Sequence, residues 1–210
     1  MNYTKTIREF CLKNRNTLFD VSYMTADYFS MVPYKTLLRI LNRLVEEKIL
    51  LPVSKGVYYI QGDKPFDLEK AVKEYYVDNN HGMFVGYKMY NDLLISDHVS
   101  DTVEIYTDRI GAAHKNIGNY HLTHVNLVFD DYTKRLIQTL ELIEHSPRII
   151  DIDYMRYYNV RLNGICSYTE YEIDRVIRSI HYQHSTLVTF AELMKKAGFS
   201  VDILSKRKGA

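Results

Sequence analysis

The strongest constraint on the fold lies in residues 32–60, VPYKTLLRILNRLVEEKILLPVSKGVYYI. Four apolar residues there recur at the spacing of one helix face: Leu37, Ile40, Leu41 and Leu44. Two apolar runs then flank the turn SKG, in which Gly56 can adopt the positive φ angle of a tight hairpin. The segment therefore predicts a helix, with Pro33 near its first turn, followed directly by a β-hairpin.

Two shorter helices are predicted before this segment, one over Thr4–Asn14 and one within Val21–Phe29. Three short helices followed by a two-stranded hairpin are typical of a winged helix-turn-helix. In that arrangement the third helix enters the major groove of DNA and the hairpin lies along the backbone. We therefore expect an α+β protein in which residues 1–62 form a winged helix-turn-helix DNA-binding domain.

The stretch QGDKP, residues 61–65, concentrates turn formers and is the predicted linker. Residues 66–210 are expected to form a mixed α/β C-terminal domain, with strands in GMFV, DTVEIYTD and HLTHVNLVFD and a mainly helical end. In that end, Thr169 and Glu172 have the spacing of a capping box. Gly198 is placed to end the last helix.

The charge of the chain is unevenly distributed, although the formal net charge is only +1. Residues 1–60 hold nine Lys and Arg against five acidic residues, whereas the remainder holds 18 basic and 21 acidic residues. A basic N-terminal segment followed by a slightly acidic remainder is typical of a nucleic-acid-binding module joined to another domain.

The predicted DNA-binding set comprises Tyr34, Lys35, Leu38, Arg39, Asn42, Arg43 and Lys55. The two arginines suit guanine, the asparagine amide suits adenine, and the leucine suits a thymine methyl group. The tyrosine and the two lysines suit phosphates, which position a protein without reading sequence. The alternative interpretation is that these charges only solvate an exposed helix face.

No set of residues predicts catalysis. Asp151 and Asp153 could hold Mg²⁺ in a nucleotidyltransferase, but no Gly-Ser phosphate-binding turn precedes them, so a solvated loop or helix start is the favoured interpretation. The histidines show no metal-ligand spacing, and Cys11 and Cys166 are expected to be reduced thiols. We expect no metal site, no cofactor and no enzymatic activity.

Tyrosine is frequent, with 19 residues and clusters at 75–76, 154–158 and 168–171. Half-buried packing or a protein interface is the favoured use of these side chains. The alternative is a transcriptional regulator whose C-terminal domain senses a small molecule in a pocket lined by the clusters.

Three stretches carry a resemblance to a known family: KGVYYI (55–60), GYKMYNDLLISDHVSDTVEIYTD (86–108) and TKRLIQTLELIEHSPRI (133–149). Together with the helical C-terminus, they resemble the AbiEi-like antitoxins of bacterial type IV toxin–antitoxin systems. The likeness is spread over most of the chain, and none of its motifs marks the residues that counter a toxin.

The resemblance implies a transcriptional autorepressor that binds inverted repeats in its own promoter, as a homodimer or as two monomers. It also implies a C-terminal antitoxin domain, residues 66–210, that counters a nucleotidyltransferase-like toxin from the same operon, functionally if not by direct contact. We expect a cytoplasmic protein without a membrane partner, since no apolar run approaches the ~20 residues that span a bilayer.

Overall fold

A computed structural model describes residues 2–199 of the chain, which form an α+β fold with two small β-sheets. The α+β class predicted from the sequence is confirmed. The first elements are α1 (Tyr3–Lys13), β1 (Leu18–Asp20), α2 (Val21–Asp27), α3 (Tyr34–Glu46), β2 (Leu50–Ser54) and β3 (Val57–Ile60).

The first sheet is antiparallel and has the strand order β1-β3-β2. Strands β2 and β3 are the predicted hairpin, whereas β1 was not predicted. Pro52 interrupts no central ladder, because β2 is an edge strand, and the register of β2 shifts between Pro52 and Ser54. Gly56 has φ +73° at the hairpin turn, as its position in SKG predicted.

Helix α3 lies on this sheet through the predicted apolar stripe. Leu37, Ile40, Leu41 and Leu44 are all buried, none with more than 3% of its surface exposed. Full burial of each such side chain contributes about 1.5–3 kcal/mol. The buried stripe therefore fixes which face of α3 points away from the protein.

The second sheet has four strands in the order β4-β5-β7-β6. Its outer pairs, β4–β5 and β6–β7, are antiparallel, and the central pair β5–β7 is parallel. Strand β6 is polar and was not predicted. The elements of this region are α4 (Leu68–Tyr76), β4 (Gly82–Val85), α5 (Gly86–Asp92), β5 (Val103–Thr107), β6 (His114–Ile117) and β7 (Tyr120–His124).

The remainder of the described chain is helical, as predicted. It comprises α6 (Asp131–His145), a 3₁₀ turn (Ser146–Arg148), α7 (Tyr154–Asn163), α8 (Glu170–Ser179) and α9 (His184–Lys196). The predicted capping box is present at the start of α8, between Thr169 and Glu172. After α9, Gly198 has φ +85° and the Phe199 N–H donates to the Met194 carbonyl at 2.9 Å, which is the Schellman arrangement.

Two clusters of buried apolar residues fill the protein. The first cluster includes residues from Ile7 to Val77 together with five residues of the second sheet region: Ile105, Ile110, Ile117, Tyr120 and Leu122. The second lies between the other side of the four-stranded sheet and helices α6–α9. Residues on both sides of the predicted linker, 61–65, therefore contribute to one core.

A buried carboxylate also joins these two parts of the chain. Asp20 is fully buried and caps α2 by accepting from the Ser22 N–H at 3.0 Å. Its other oxygen accepts from the Tyr76 hydroxyl at 2.8 Å and from the Lys115 ammonium at 2.5 Å. One side chain of β1 is thereby bonded to α2, α4 and β6.

Candidate nucleic-acid interface

Helix α3 presents a basic face to solvent. Pro33 occupies the N-cap position, where its lack of an N–H costs no helical hydrogen bond. Lys35, Arg39, Asn42 and Glu46 are exposed on the side opposite the buried stripe, and Arg43 is exposed at the edge of that side. The predicted recognition residues of the helix, except Leu38, thus point away from the core.

The three cations of this face have no partner in the part of the chain that the structure describes. Lys35, Arg39 and Arg43 form no ion pair or hydrogen bond there, unlike Arg8, which pairs with Glu47 near the end of the same helix. Unpaired, exposed guanidinium and ammonium groups retain all their donors for an external anion.

A groove of about 840 Å³ separates α3 from the hairpin β2–β3. Four predicted residues line it: Tyr34, Leu38, Asn42 and Lys55. The structure therefore divides the predicted set into two adjoining groups, one along the outer face of α3 and one in the groove beside it. The two groups share Asn42, which is both exposed and a groove residue.

Leu38 lies deeper than its predicted contact with a thymine methyl group requires. Its side chain is partly buried and packs against the first core cluster. It also lines the groove. The Leu38 side chain therefore packs α3 against the core, and it projects from the helix less than the exposed residues of α3 do.

Tyr58, a tyrosine of the groove, is uncharged at neutral pH. Burial raises the pKa of Tyr58, and the nearby phenol of Tyr34 raises it further. A neutral phenol donates its O–H proton, which is the bond that a phosphate oxygen accepts. Tyr58, which the sequence analysis did not include, therefore adds a possible phosphate donor to the groove.

The hairpin turn is held firmly while its lysine stays exposed. The Val21 N–H donates to the Gly56 carbonyl at 2.9 Å, and the Ser54 hydroxyl donates to the Asn116 carbonyl at 3.2 Å. Lys55, between them, is exposed and forms no ion pair within residues 2–199. The ammonium group is thus carried by an anchored backbone beside α3.

Two charged residues of the groove were missed by sequence reasoning. Lys115 comes from β6, and its ammonium is paired with the Asp20 carboxylate and bonded to the Ser22 hydroxyl, so its charge is neutralised within the protein. Glu46 is exposed near the end of α3 and places one negative charge among the cations. The spacing of α3 already put Glu46 on this face, whereas Lys115 reaches it only through the tertiary fold.

The structure places the other candidate residues of the sequence apart from this interface. Asp153 caps α7 by accepting from the Arg156 N–H at 2.9 Å, which confirms the favoured interpretation of this pair as a helix start. His121 and His124 are exposed on β7, and His181 lies between α8 and α9. Within residues 2–199, no group of three or more His, Cys, Asp or Glu side chains is placed to hold a metal ion.

The tyrosine clusters combine buried and exposed members. Tyr75, Tyr76, Tyr157 and Tyr168 are buried, whereas Tyr154, Tyr158 and Tyr171 are 63%, 49% and 69% exposed.

Cys11 is a buried thiol, as expected, and burial raises its pKa to about 11. The basic end of the chain, residues 206–208, lies outside the described residues.

Comparison with known proteins adds no assignment: no family model matches the chain, and no match was found among curated proteins. Among the described residues, no helix combines the length and apolar character needed to cross a membrane. The AbiEi-like resemblance therefore remains a prediction from the sequence.

Proposed function

We propose that the protein is a DNA-binding transcriptional autorepressor and the antitoxin of a bacterial type IV toxin–antitoxin system. The observation that carries the DNA-binding part is the outer face of α3, where three exposed cations have no partner in the described chain. They lie beside a groove whose far side carries Lys55. Cationic side chains that have no partner in the described chain are available to bind phosphates and base edges.

The order of elements supports a winged helix-turn-helix. Helix α1 is followed by β1, α2, α3 and the hairpin β2–β3, and the three strands form one antiparallel sheet. In the proposed complex α3 enters the major groove and the hairpin lies along the backbone. The buried stripe of α3 and the anchored hairpin turn hold both parts rigidly, so little conformational freedom is lost on binding.

The proposed contacts follow from position and chemistry. Arg39 and Arg43 contact guanine edges and Asn42 contacts adenine, since these pairs form two hydrogen bonds in the major groove. Tyr34, Lys35 and Lys55 contact phosphates. Repression follows from occupancy, because a protein seated on the promoter excludes polymerase.

The antitoxin part rests on the resemblance alone. We infer that the protein acts in the cytoplasm on inverted repeats of its own promoter, as a homodimer or as two monomers on neighbouring half-sites. Its C-terminal region counters a nucleotidyltransferase-like toxin encoded in the same operon. No cofactor is part of this proposal, and the antitoxin is not itself an enzyme.

Fluorescence anisotropy tests the DNA-binding part. The full chain is titrated onto a duplex from its own upstream region and onto a scrambled duplex across a salt series. We expect tight, salt-sensitive binding to the first, lost in Arg39→Ala/Arg43→Ala. Lys55→Ala, which removes one proposed phosphate contact, should flatten the slope of log affinity against log salt by about 0.9.

The matched control is Lys195→Ala/Lys196→Ala, which removes the same charge from the exposed end of α9. It should bind like the native chain. Binding that ignores both the duplex sequence and the α3 substitutions would reject α3 as a recognition helix.

Growth of cells that express the neighbouring toxin gene tests the antitoxin part separately. Arg39→Ala/Arg43→Ala should lose repression of a promoter reporter yet still restore growth, because the two activities are assigned to different regions. If the native chain fails to restore growth, the antitoxin assignment is wrong even where DNA binding holds.

A regulator with a C-terminal small-molecule site is the second candidate. A polar cavity beside Glu141 favours it, although Tyr87 and Tyr90 line that cavity rather than the three tyrosine clusters.

A further inference from the structure

A small cavity of about 210 Å³ lies where α5, β5 and α6 meet the 3₁₀ turn. Its polar lining comes from Tyr87, Tyr90, Glu104, Glu141, His145 and Arg148. These residues are far from α3 in sequence and are not among the predicted DNA contacts. The volume lies below the ~300 Å³ at which pockets for drug-sized ligands begin, so the cavity suits a small molecule.

The cavity has a buried acidic wall. Glu141 is 3% exposed, and its carboxylate accepts from the Tyr106 hydroxyl at 3.1 Å and faces the His145 Nε2 at 3.3 Å. The Tyr182 hydroxyl also bonds to Glu141. A carboxylate has about four acceptor positions, so these three contacts leave about one position for another donor. Helix α6 and strand β5 hold this group in place before any ligand arrives.

Tyr90 lines the cavity with a largely buried ring whose hydroxyl has no partner in the described chain. Its side chain is 3% exposed, yet its hydroxyl makes no hydrogen bond within residues 2–199. The hydroxyl is not among the fully buried unpaired polar atoms of residues 2–199, so it reaches the open space of the cavity and can bond to water or a ligand. Burial raises the pKa of the Tyr90 phenol, and the nearby carboxylates of Glu141 and Glu104 raise it further, which places the phenol on the acidic side of the cavity.

Two exposed side chains of opposite charge on the lining also have no ion-pair partner among residues 2–199. Glu104 lies against Gly86, where a Cβ atom would come within 2.2 Å of its Oε2, so this close approach depends on glycine. Neither Glu104 nor Arg148 forms an ion pair in the described part of the chain, although both line the same cavity. The lining thus offers a free carboxylate and a free guanidinium to one occupant.

We propose that this cavity binds a small zwitterion with an ammonium group and a carboxylate, the chemistry of a free amino acid. Its ammonium donates to Glu104, Glu141 and the Tyr90 oxygen. Its carboxylate accepts from the Arg148 guanidinium, assisted by His145. A simple amine leaves Arg148 unpaired and a simple acid leaves Glu104 unpaired, so the zwitterion is the occupant that neutralises both ends.

The proposal does not depend on DNA binding, and it is tested with the full chain alone. Thermal denaturation in pools of the twenty amino acids identifies a stabilising compound, because a ligand of the native state raises the melting temperature. Titration calorimetry then measures that amino acid, its N-acetyl derivative and its methyl ester. The native chain should bind the parent compound saturably and each derivative at least about tenfold more weakly, since each derivative lacks one charge.

Three variants place the binding in this cavity. Glu104→Gln and Arg148→Gln should each weaken binding at least about tenfold, and Tyr90→Phe should weaken it less, because it removes an uncharged partner. The matched control is Glu192→Gln, an exposed glutamate of α9. It should bind like the native chain with an unchanged melting temperature.

Either of two results would overturn the proposal. One is the absence of any saturable binding among the amino acids at millimolar concentration. The other is an amino acid whose affinity is the same in Glu104→Gln, Arg148→Gln and the native chain.

Discussion

Replacing Asp20 with alanine tests whether one buried carboxylate joins the N-terminal sheet to the rest of the protein. The change leaves Lys115, whose side chain is only 14% exposed, without its counter-ion and leaves the Tyr76 hydroxyl without its acceptor. Removing one partner of a buried ion pair costs about 3–5 kcal/mol. Loss of the cap of α2 adds about 1 kcal/mol.

We therefore expect Asp20→Ala to lower the free energy of unfolding by about 4 kcal/mol or more, measured by urea denaturation. In a chain of this size, 1 kcal/mol lowers the melting temperature by about 2–4 °C, so the expected decrease is about 8–16 °C.

The matched control is Asp67→Ala, which removes an exposed cap of α4 that accepts from the Lys70 N–H at 3.1 Å. Asp67 forms no ion pair with any other residue of the range 2–199. The substitution should cost only about 1 kcal/mol. Asp20→Ala/Lys115→Met should recover part of the loss, because it also removes the stranded charge. If Asp20→Ala costs no more than Asp67→Ala, the buried link does not stabilise the fold.

Two further predictions concern the α6 end and the hairpin. The hydrogen bond with Glu141 raises the pKa of His145, and burial, which lowers it, only partly offsets this. The stabilisation that protonated His145 gives the folded protein is therefore fully present below the unfolded pKa of about 6.5. It is lost as the pH rises through the pKa of His145 in the folded protein. His145→Gln should destabilise the protein more at about pH 5.5 than at about pH 8.5 in urea denaturation, and equal losses would contradict this. Gly56→Ala should lower the free energy of unfolding by about 1–2 kcal/mol, because a residue with a side chain is strained at φ +73°. A steric clash adds nothing, since the nearest atom to an added Cβ, on Val21, is 4.0 Å away. An unchanged melting temperature would show that the turn tolerates a side chain.

Local sequence signals predicted the elements whose causes are local. The stripe Leu37, Ile40, Leu41 and Leu44 fixed the buried face of α3, and all four side chains are in the core. The positive φ of Gly56 and the capping box at Thr169 also follow from short motifs. These features depend on neighbours within a few residues, which the sequence shows directly.

The missed features depend on distant neighbours. Strand β1 has only three residues, too few for an alternating pattern, and it exists because β3 pairs with it. Strand β6 reads HKNI and forms an edge of the second sheet by pairing with β7. Strand propensity is overridden by such pairing, so neither strand could be predicted from its own residues.

The same limit applies to the candidate sites. Exposure of Arg39 and Arg43 followed from the helical period of α3, whereas the approach of Lys115 to the α3 groove required β6 and Asp20. The cavity beside Glu141 combines residues from Gly86 to Ile149. No spacing in the sequence marks residues that meet only after four elements have packed.

The central claim is that α3 reads base sequence, and binding to a set of single base-pair substitutions in the operator tests it most directly. Affinities of the native chain, Arg39→Ala, Arg43→Ala and Lys55→Ala are compared on every duplex. We expect each arginine variant to lose about 1–3 kcal/mol of discrimination at its own position. Lys55→Ala should weaken binding evenly on all duplexes and flatten the salt slope by about 1. If the native chain binds all substituted duplexes equally, α3 does not read sequence and the account of its outer face is wrong.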